Sequence, residues 1–231
     1  MVIAGGLAVL LSAAAALSAF LVTRPAAEQA PRVSGIPANI STSLANLMEL
    51  SALPATQAPG FTLTDQNGRA MSLADLRGKV VVLEFMDPHC TDICPLVSQE
   101  FVYAYHDLGP LAGKVVFAAV NVNQYYRSVA AMTAFSREHG LTTIPGWHFL
   151  TGPVPALRAT WRAYNIEVEA PNPNADIMHT SAIYFIDASG AERYVASPQV
   201  DHTQQGSAYL PADQLAAWGR GIAILARDVA R

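Results

Sequence analysis

Charged residues are scarce in this chain, and the motifs of several common enzyme classes are missing. Asp, Glu, Lys and Arg make up 14% of the 231 residues, and the formal net charge at pH 7 is −4. This balance predicts no basic face for nucleic acid. The sequence also has no Gly-rich phosphate loop, no Ser-centred nucleophile elbow and no His-Glu-x-x-His motif. Nucleotide and hydrolase chemistry therefore lack support, although a hydrophobic content of 52% is that of a globular protein.

Cysteine is equally scarce, and the two cysteines of the sequence, Cys90 and Cys94, lie four residues apart. A structural zinc site usually takes four ligands from two close pairs, so a zinc finger is disfavoured. If the segment after Cys90 is helical, positions i and i+4 share one face, and two thiolates there can share one soft metal ion. The same spacing places the Cα atoms roughly 6 Å apart, which also permits a disulfide. Two inert core cysteines are disfavoured, because the neighbouring Asp, His and Pro are poor core formers.

Residues 2–22 form a long apolar run without a charge. As a helix this run would span about 31 Å, the thickness of a bilayer core. We therefore expect a transmembrane anchor or signal segment at 1–23, and the length of the run favours the anchor. Arg24 and Arg32 follow the run and weakly favour a cytoplasmic domain. The chemistry of the cysteine pair leads us to predict the opposite, a single-pass protein of the cell membrane with its domain on the extracytoplasmic (periplasmic or extracellular) side.

The rest of the chain alternates predicted strands with predicted helices. Residues 24–56 are rich in Ala, Pro, Ser and Asn and predict a flexible linker, so the folded domain is expected at 57–231. Apolar runs predict strands at 80–85, 115–120, 147–150, 182–187 and 193–196, and a short strand pair is predicted within 61–70. Helices are predicted at 90–108, 128–139, 155–164 and from 212 to the C-terminus. Strands that alternate with helices and end in an antiparallel hairpin indicate a three-layer α/β sandwich on a central mixed sheet.

Three segments give the chain a resemblance to a known family over about residues 58–227. They are 90–95 (CTDICP), 147–152 (WHFLTG) and 179–187 (HTSAIYFID). In their order and spacing the chain resembles the Sco/SenC family of membrane-anchored copper proteins, which have a thioredoxin-like fold. The resemblance implies that Cys90, Cys94 and His179 bind one copper ion. It also implies a role in maturing the dinuclear copper centre of cytochrome c oxidase.

The residues themselves agree with a copper site. Two thiolates and one imidazole form a soft three-coordinate set suited to Cu(I), which can gain a further ligand on oxidation to Cu(II). Thioredoxin-like reductases more usually have two residues between the cysteines, whereas the spacer here is three residues. The chain departs from the family pattern at Thr91, where members often carry Pro, and at Met178, where they often carry Asp. Delivery to the oxidase is therefore less well supported by the sequence than copper binding.

Four other residues near these segments could contribute to a metal site. His89 would supply a second imidazole, but a solvated loop residue is the favoured interpretation. Met178 would supply an axial thioether, but packing is favoured. Asp87 and Asp92 would attract a cation or cap the following helix. The Pro/Asn-rich loop 167–178 is expected to be mobile in the empty protein and to order when metal binds.

The sequence thus leads first to a copper metallochaperone that is not an enzyme in the usual sense. Its expected partner is the copper-bearing subunit of cytochrome c oxidase or another copper or thiol protein. The alternative is a thiol-disulfide oxidoreductase in which Cys90 and Cys94 are the redox-active pair. A thiol peroxidase is disfavoured, because no Thr or Arg constellation is evident to activate a cysteine. His106, His139 and His148 are assigned no function, and His202 is too remote in sequence to place.

Overall fold

The computed structural model describes residues 34–231 of the chain. Five α-helices lie in this part: α1 (Thr42–Leu47), α2 (Ile93–Leu108), α3 (Val129–Glu138), α4 (Val154–Ala163) and α5 (Ala212–Val229). Its strands are β1 (Ser51–Ala52), β2 (Thr62–Thr64), β3 (Ala70–Ser72), β4 (Val80–Met86), β5 (Val115–Asn121), β6 (Trp147–Leu150), β7 (Val168–Glu169), β8 (Met178–His179), β9 (Ile183–Ile186), β10 (Glu192–Ala196), β11 (Asp201–His202) and β12 (Ala208–Tyr209).

Six strands form the central sheet in the order β1-β10-β9-β4-β5-β6. The strands β4, β5 and β6 are parallel, whereas β9, β10 and β1 join the other edge antiparallel. Three two-residue or three-residue strand pairs, β2-β3, β7-β8 and β11-β12, lie outside this sheet. The sequence prediction of a mixed α/β sheet is therefore confirmed.

The sheet is covered on both faces. One face packs against α2, α3 and α5 in a cluster that includes Phe101, Phe117 and Trp218. The other face packs against α4 in a second cluster that includes Phe85 and Trp161. Because β4 and β5 are buried at every position, they can be apolar on both sides, and their sequences are nearly continuous apolar runs. This produces the predicted three layers.

Two predicted boundaries are corrected. The helix expected from residue 90 begins at Ile93, so Cys90 lies in the loop before it. Part of the predicted linker 24–56 belongs to the domain: α1 packs against α5, and β1 pairs with β10. The reason is that Met48 is fully buried, beside Gly221 of α5, where the glycine leaves room for the methionine sulfur. The predicted anchor at 1–23 lies outside the described residues, and no helix within 34–231 is long and apolar enough to cross a membrane.

Parallel pairing places the candidate site at one edge of the sheet. The register runs from Val80 opposite Val115 to Met86 opposite Asn121, so β4 and β5 end side by side. The cysteine loop follows β4 directly. In open α/β sheets this carboxyl edge of the strands is where ligands usually bind.

Candidate thiol and metal site

The cysteine loop turns from β4 into α2. The amide of Cys90 donates to the Asp87 carbonyl at 3.1 Å, and the amide of Cys94 donates to the Cys90 sulfur at 3.4 Å. Asp92, the residue at the N-cap of α2, makes no side-chain capping bond. The Cys90 sulfur therefore accepts a hydrogen bond from one of the free amides at the start of the helix. A helix N-terminus favours a thiolate in this position.

The two thiols are free and differ in environment. Cys90 is half-buried, whereas Cys94 is 1% exposed. The side-chain hydrogen bond from Cys94 is the main cause that lowers the pKa of Cys90 to about 7, and backbone amides assist it. Contact with Cys90, together with burial, raises the pKa of Cys94 well above its ordinary value. The pair therefore holds one thiolate readily at neutral pH, and it is carried by Cys90.

A buried polar network supports the loop. The Asp87 carboxylate accepts from the His89 amide at 2.8 Å and from the Asn123 side-chain amide at 3.0 Å. The side-chain oxygen Oδ1 of Asn123 in turn accepts from the backbone amides of Tyr125 and Tyr126, at 2.9 and 3.1 Å. The His89 ring is exposed, as the sequence predicted, and stacks on Tyr126 with centroids 3.7 Å apart. Asp87 thus joins the ends of β4 and β5 beneath the cysteines.

His179 lies on β8, opposite Val168 of β7. Its Nδ1 atom is 3.0 Å from the Thr180 carbonyl, which can only accept, so Nδ1 carries the proton and Nε2 keeps a free lone pair. Burial lowers the pKa of His179, which keeps the imidazole neutral at pH 7. This is the protonation state that a metal-binding histidine needs.

A cleft of about 750 Å³ lies beside Cys90. Its walls are the cysteine loop, residues 173–178 and residues 205–208. Met178 lines it and is 68% exposed, which corrects the prediction that this side chain packs against the domain. A second cleft, of about 510 Å³, shares residues 89–91 with the first and is bounded by α3.

The structure brings Cys90 and Cys94 together but does not bring His179 to them. Across residues 34–231, no three His, Cys, Asp or Glu side chains are grouped closely enough to hold a metal ion. The donor types fit a soft metal: one ready thiolate, a second thiol beside it and a neutral imidazole on a neighbouring segment. In this arrangement the two sulfurs lie together, and the His179 imidazole stands apart from them.

A SCO1/SenC family profile matches residues 51–208, which is more than half of the chain. The chain belongs to the SCO1/SenC family. The mitochondrial protein SCO2 homolog of Bos taurus is 29% identical over 136 residues, which are 56% of this chain and 50% of that protein. The chain therefore spans about half the length of the mitochondrial relatives that it matches.

Solved structures of Sco proteins share the fold. The copper-bound ScoI of Bradyrhizobium japonicum has a TM-score of 0.56 at 23% identity, over 75% of this chain and 98% of that chain. BsSco has a TM-score of 0.53 at 18% identity, over 74% of this chain and 95% of that chain. BsSco is described as a member of the Sco family of cytochrome c oxidase assembly proteins in which a disulfide switch was identified.

Sequence reasoning missed two features of this SCO1/SenC site. His202 on β11 bonds to Asp92 through Nε2, at 3.0 and 3.1 Å from the two carboxylate oxygens, and so ties the β11–β12 hairpin to the cysteine loop. The two residues are 110 positions apart, and no spacing signal joins them. Glu84 is a buried carboxyl whose charge acts on Cys94, and Glu100 is a buried carboxyl on which the charge of Glu84 acts. Glu84 had a visible signal, since it is the one charged residue in the apolar run at 80–86.

Proposed function

We propose that this chain is a copper metallochaperone that carries one copper ion on Cys90, Cys94 and His179. The observation that supports this most directly is the cysteine pair, in which the pKa of Cys90 falls to about 7 while Cys94 lies beside it. Thiolates and a neutral imidazole prefer Cu(I), and the set can accept a further ligand as Cu(II). The copper-bound ScoI, which shares the fold, is consistent with this ligand chemistry.

Binding would close the site. His179 follows the wall formed by residues 173–178, so movement of that wall toward Cys90 would bring the free Nε2 atom to the two sulfurs. The neutral imidazole needs no deprotonation before it binds, whereas Cys94 must lose its proton. The loop is therefore expected to be more mobile in the empty protein than in the loaded one.

We also propose a location and a recipient protein for this chain. Residues 1–23 would anchor the chain in the cell membrane with the domain on the extracytoplasmic side. The recipient would be the copper-bearing subunit of cytochrome c oxidase or another copper or thiol protein, in line with the description of BsSco as an assembly protein. Transfer would proceed by exchange of soft ligands, and the chain would catalyse no conversion of a substrate.

A thiol-disulfide oxidoreductase is the second candidate, and the different pKa values of the two thiols favour it. The Cys90 thiolate would attack a partner disulfide, break its S–S bond and release one partner thiolate. Cys94 would then attack the mixed disulfide at Cys90, lose its proton and release the second partner thiol. The partner gains two electrons, and this chain is left with a Cys90–Cys94 disulfide.

An anaerobic Cu(I) titration against a competing chelator separates the two functions. The purified chain is compared with Cys90→Ser, Cys94→Ser and His179→Ala, and with His106→Ala as a control on the distant end of α2. The metallochaperone predicts one tightly held copper, weakened by about tenfold or more in each of the first three variants and unchanged in the control. Weak binding that is indifferent to His179 would leave the oxidoreductase as the better account.

A further inference from the structure

Glu84 is the one charged residue of β4, and it is 1% exposed. Side chains alternate along a strand, so Glu84 shares the face of Val82 and Met86, which pack beneath α2. Burial raises the pKa of its carboxyl to about 8, although the nearby amides of Phe85 and Ala182 oppose the shift. A buried acid in the middle of an apolar strand costs stability unless its contacts compensate.

Glu84 lies one residue beyond the last main-chain pair between β4 and β9. The pairing of β4 with β9 runs from Val81 opposite Ile186 to Leu83 opposite Tyr184. One residue further along β4, the Ser181 hydroxyl donates to Glu84 Oε1 at 3.4 Å. A side chain thus continues the connection between the two segments beyond the last strand pair. This hydrogen bond holds Ser181, which lies in the segment 180–182 that connects His179 to β9.

Glu84 is also a neighbour of the cysteine pair. Its charge adds to contact with Cys90 and to burial in raising the pKa of Cys94. The carboxyl therefore contacts the segment after β8 through Ser181 and acts electrostatically on a thiol at the start of α2. Among the described residues, its second oxygen, Oε2, has no hydrogen-bond partner.

We propose that Glu84 is a positioning residue that fixes residues 180–182 against β4 and thereby sets where His179 enters the metal site. This inference rests on the proposed function, because it takes His179 as the third ligand. A hydrogen bond is directional, whereas an apolar contact is not, so Glu84 restrains the base of the segment while residues 173–178 remain able to move. The carboxyl touches the ligand segment and not the metal.

The test is a double-mutant cycle with Cu(I) affinity as its readout. Glu84→Met removes the anchor at similar side-chain size, and Glu84→Gln keeps an oxygen that accepts from Ser181. Glu100→Met is the matched control, since Glu100 is also a buried carboxyl but belongs to α2 and makes no bond to residues 180–182. We expect Glu84→Met to weaken Cu(I) by about tenfold, and by less than about twofold when His179→Ala is already present. Glu84→Gln and Glu100→Met should stay close to the wild type.

A second readout needs no copper. Hydrogen exchange of the empty protein should become faster at 179–182 in Glu84→Met and unchanged there in Glu100→Met. If Glu84→Met fails to fold, Ser181→Ala removes the donor alone and is judged by both readouts, with about a threefold loss of affinity expected. Equal weakening with and without His179, or unchanged exchange at 179–182, overturns the role of Glu84. Copper binding that is indifferent to His179→Ala instead refutes the proposed ligand set, so the two failures are distinguishable.

Discussion

The two cysteine thiols differ in acidity because they differ in hydrogen bonding and in burial. Cys90 precedes α2 and receives the amide of Cys94, whereas Cys94 is enclosed within the first turn of the helix. The side-chain hydrogen bond between the two thiols is the main cause that lowers the pKa of Cys90 and raises that of Cys94, and burial raises the pKa of Cys94 further. At neutral pH the half-exposed sulfur is therefore the reactive one.

Replacing Cys94 by Ala should make Cys90 less acidic. The change removes the side-chain hydrogen bond that contributes most to the low pKa, and it leaves the backbone amide in place. We expect the pH midpoint for alkylation of Cys90 by iodoacetamide to rise from about 7 by roughly one unit. Cys94→Ser, which keeps a donor, should shift the midpoint less. An unchanged midpoint in Cys94→Ala would show that the amide alone stabilises the thiolate.

At the scale of elements, the site is assembled from the ends of β4 and β5 and from two short hairpins that carry no share of the main sheet. One hairpin, β7–β8, holds His179, and the other, β11–β12, holds His202. Elements of two residues have few contacts of their own, so their positions depend on single side-chain bonds. The His202–Asp92 pair is such a bond.

Breaking this pair should release the β11–β12 hairpin. His202→Ala is expected to speed hydrogen exchange at 201–209 and to speed the reaction of Cys90 with a bulky disulfide reagent. The stability cost should be small, about 0.2–1 kcal/mol, because both side chains are about half exposed. Arg231→Ala, which breaks an exposed pair with Asp228 at the end of α5, is the control. If both variants react alike, the hairpin does not limit access to Cys90.

The segment α1–β1 is expected to be part of the stable domain. Met48→Ala should lower the free energy of unfolding by about 2–5 kcal/mol, because it empties a fully buried position against α5. Asn46→Ala, at an exposed position of the same short helix, should change it by less than about 0.5 kcal/mol. Urea unfolding measures both. Similar values for the two variants would mean that this segment is only loosely attached.

At the scale of the whole molecule, a sheet covered on both faces encloses two acids that do not ionise easily. Burial raises the pKa of Glu84 to about 8 and that of Glu100 well above its ordinary value, and the charge of Glu84 adds to the latter. The charge of Glu84 also contributes to raising the pKa values of Cys94 and Tyr184. The Glu84 carboxyl is therefore mostly protonated in the folded protein at neutral pH, and burial makes Glu100 a weaker acid than an exposed glutamate.

These acids should make the domain less stable in alkaline solution. A raised pKa in the folded state gives stability that is complete below the unfolded value of 4.5 and is lost as the pH rises through about 8. The free energy of unfolding should therefore fall from pH 5 to pH 8, by at most about 1.4 kcal/mol per pH unit for Glu84, and the raised pKa of Glu100 acts in the same direction. The double variant Glu84→Gln, Glu100→Gln should show a flatter profile. A wild-type profile that rises over this range would contradict the burial of neutral acids.

Much of this architecture follows from local sequence, and the part that does not has a physical reason. Apolar runs predicted β4, β5 and β6 to within a residue, since strands buried on both faces leave that pattern. The edge strand β1 was not predicted, because a strand of two residues is too short to show an alternating hydrophobic pattern. The cysteine pair was visible in its spacing, whereas the bond from Asp92 to His202 exists only after folding. The position of His179 relative to the cysteines depends on tertiary structure and could not be predicted from local sequence.

Cys90 forms a common wall between two clefts, one bounded by residues 173–178 and the other by α3. If His179 is the third ligand, it would approach the Cys90 sulfur from the side of the first cleft, and the second cleft would give an incoming partner sulfur a separate route along Ala131, Ala134 and Phe135. The partner thiol could then bind before His179 dissociates. In kinetic terms the exchange would be associative, with a rate proportional to the concentration of the competing thiol and no plateau set by loop opening. Saturation of that rate at high thiol concentration would show that His179 and the partner thiol reach Cys90 through the same cleft.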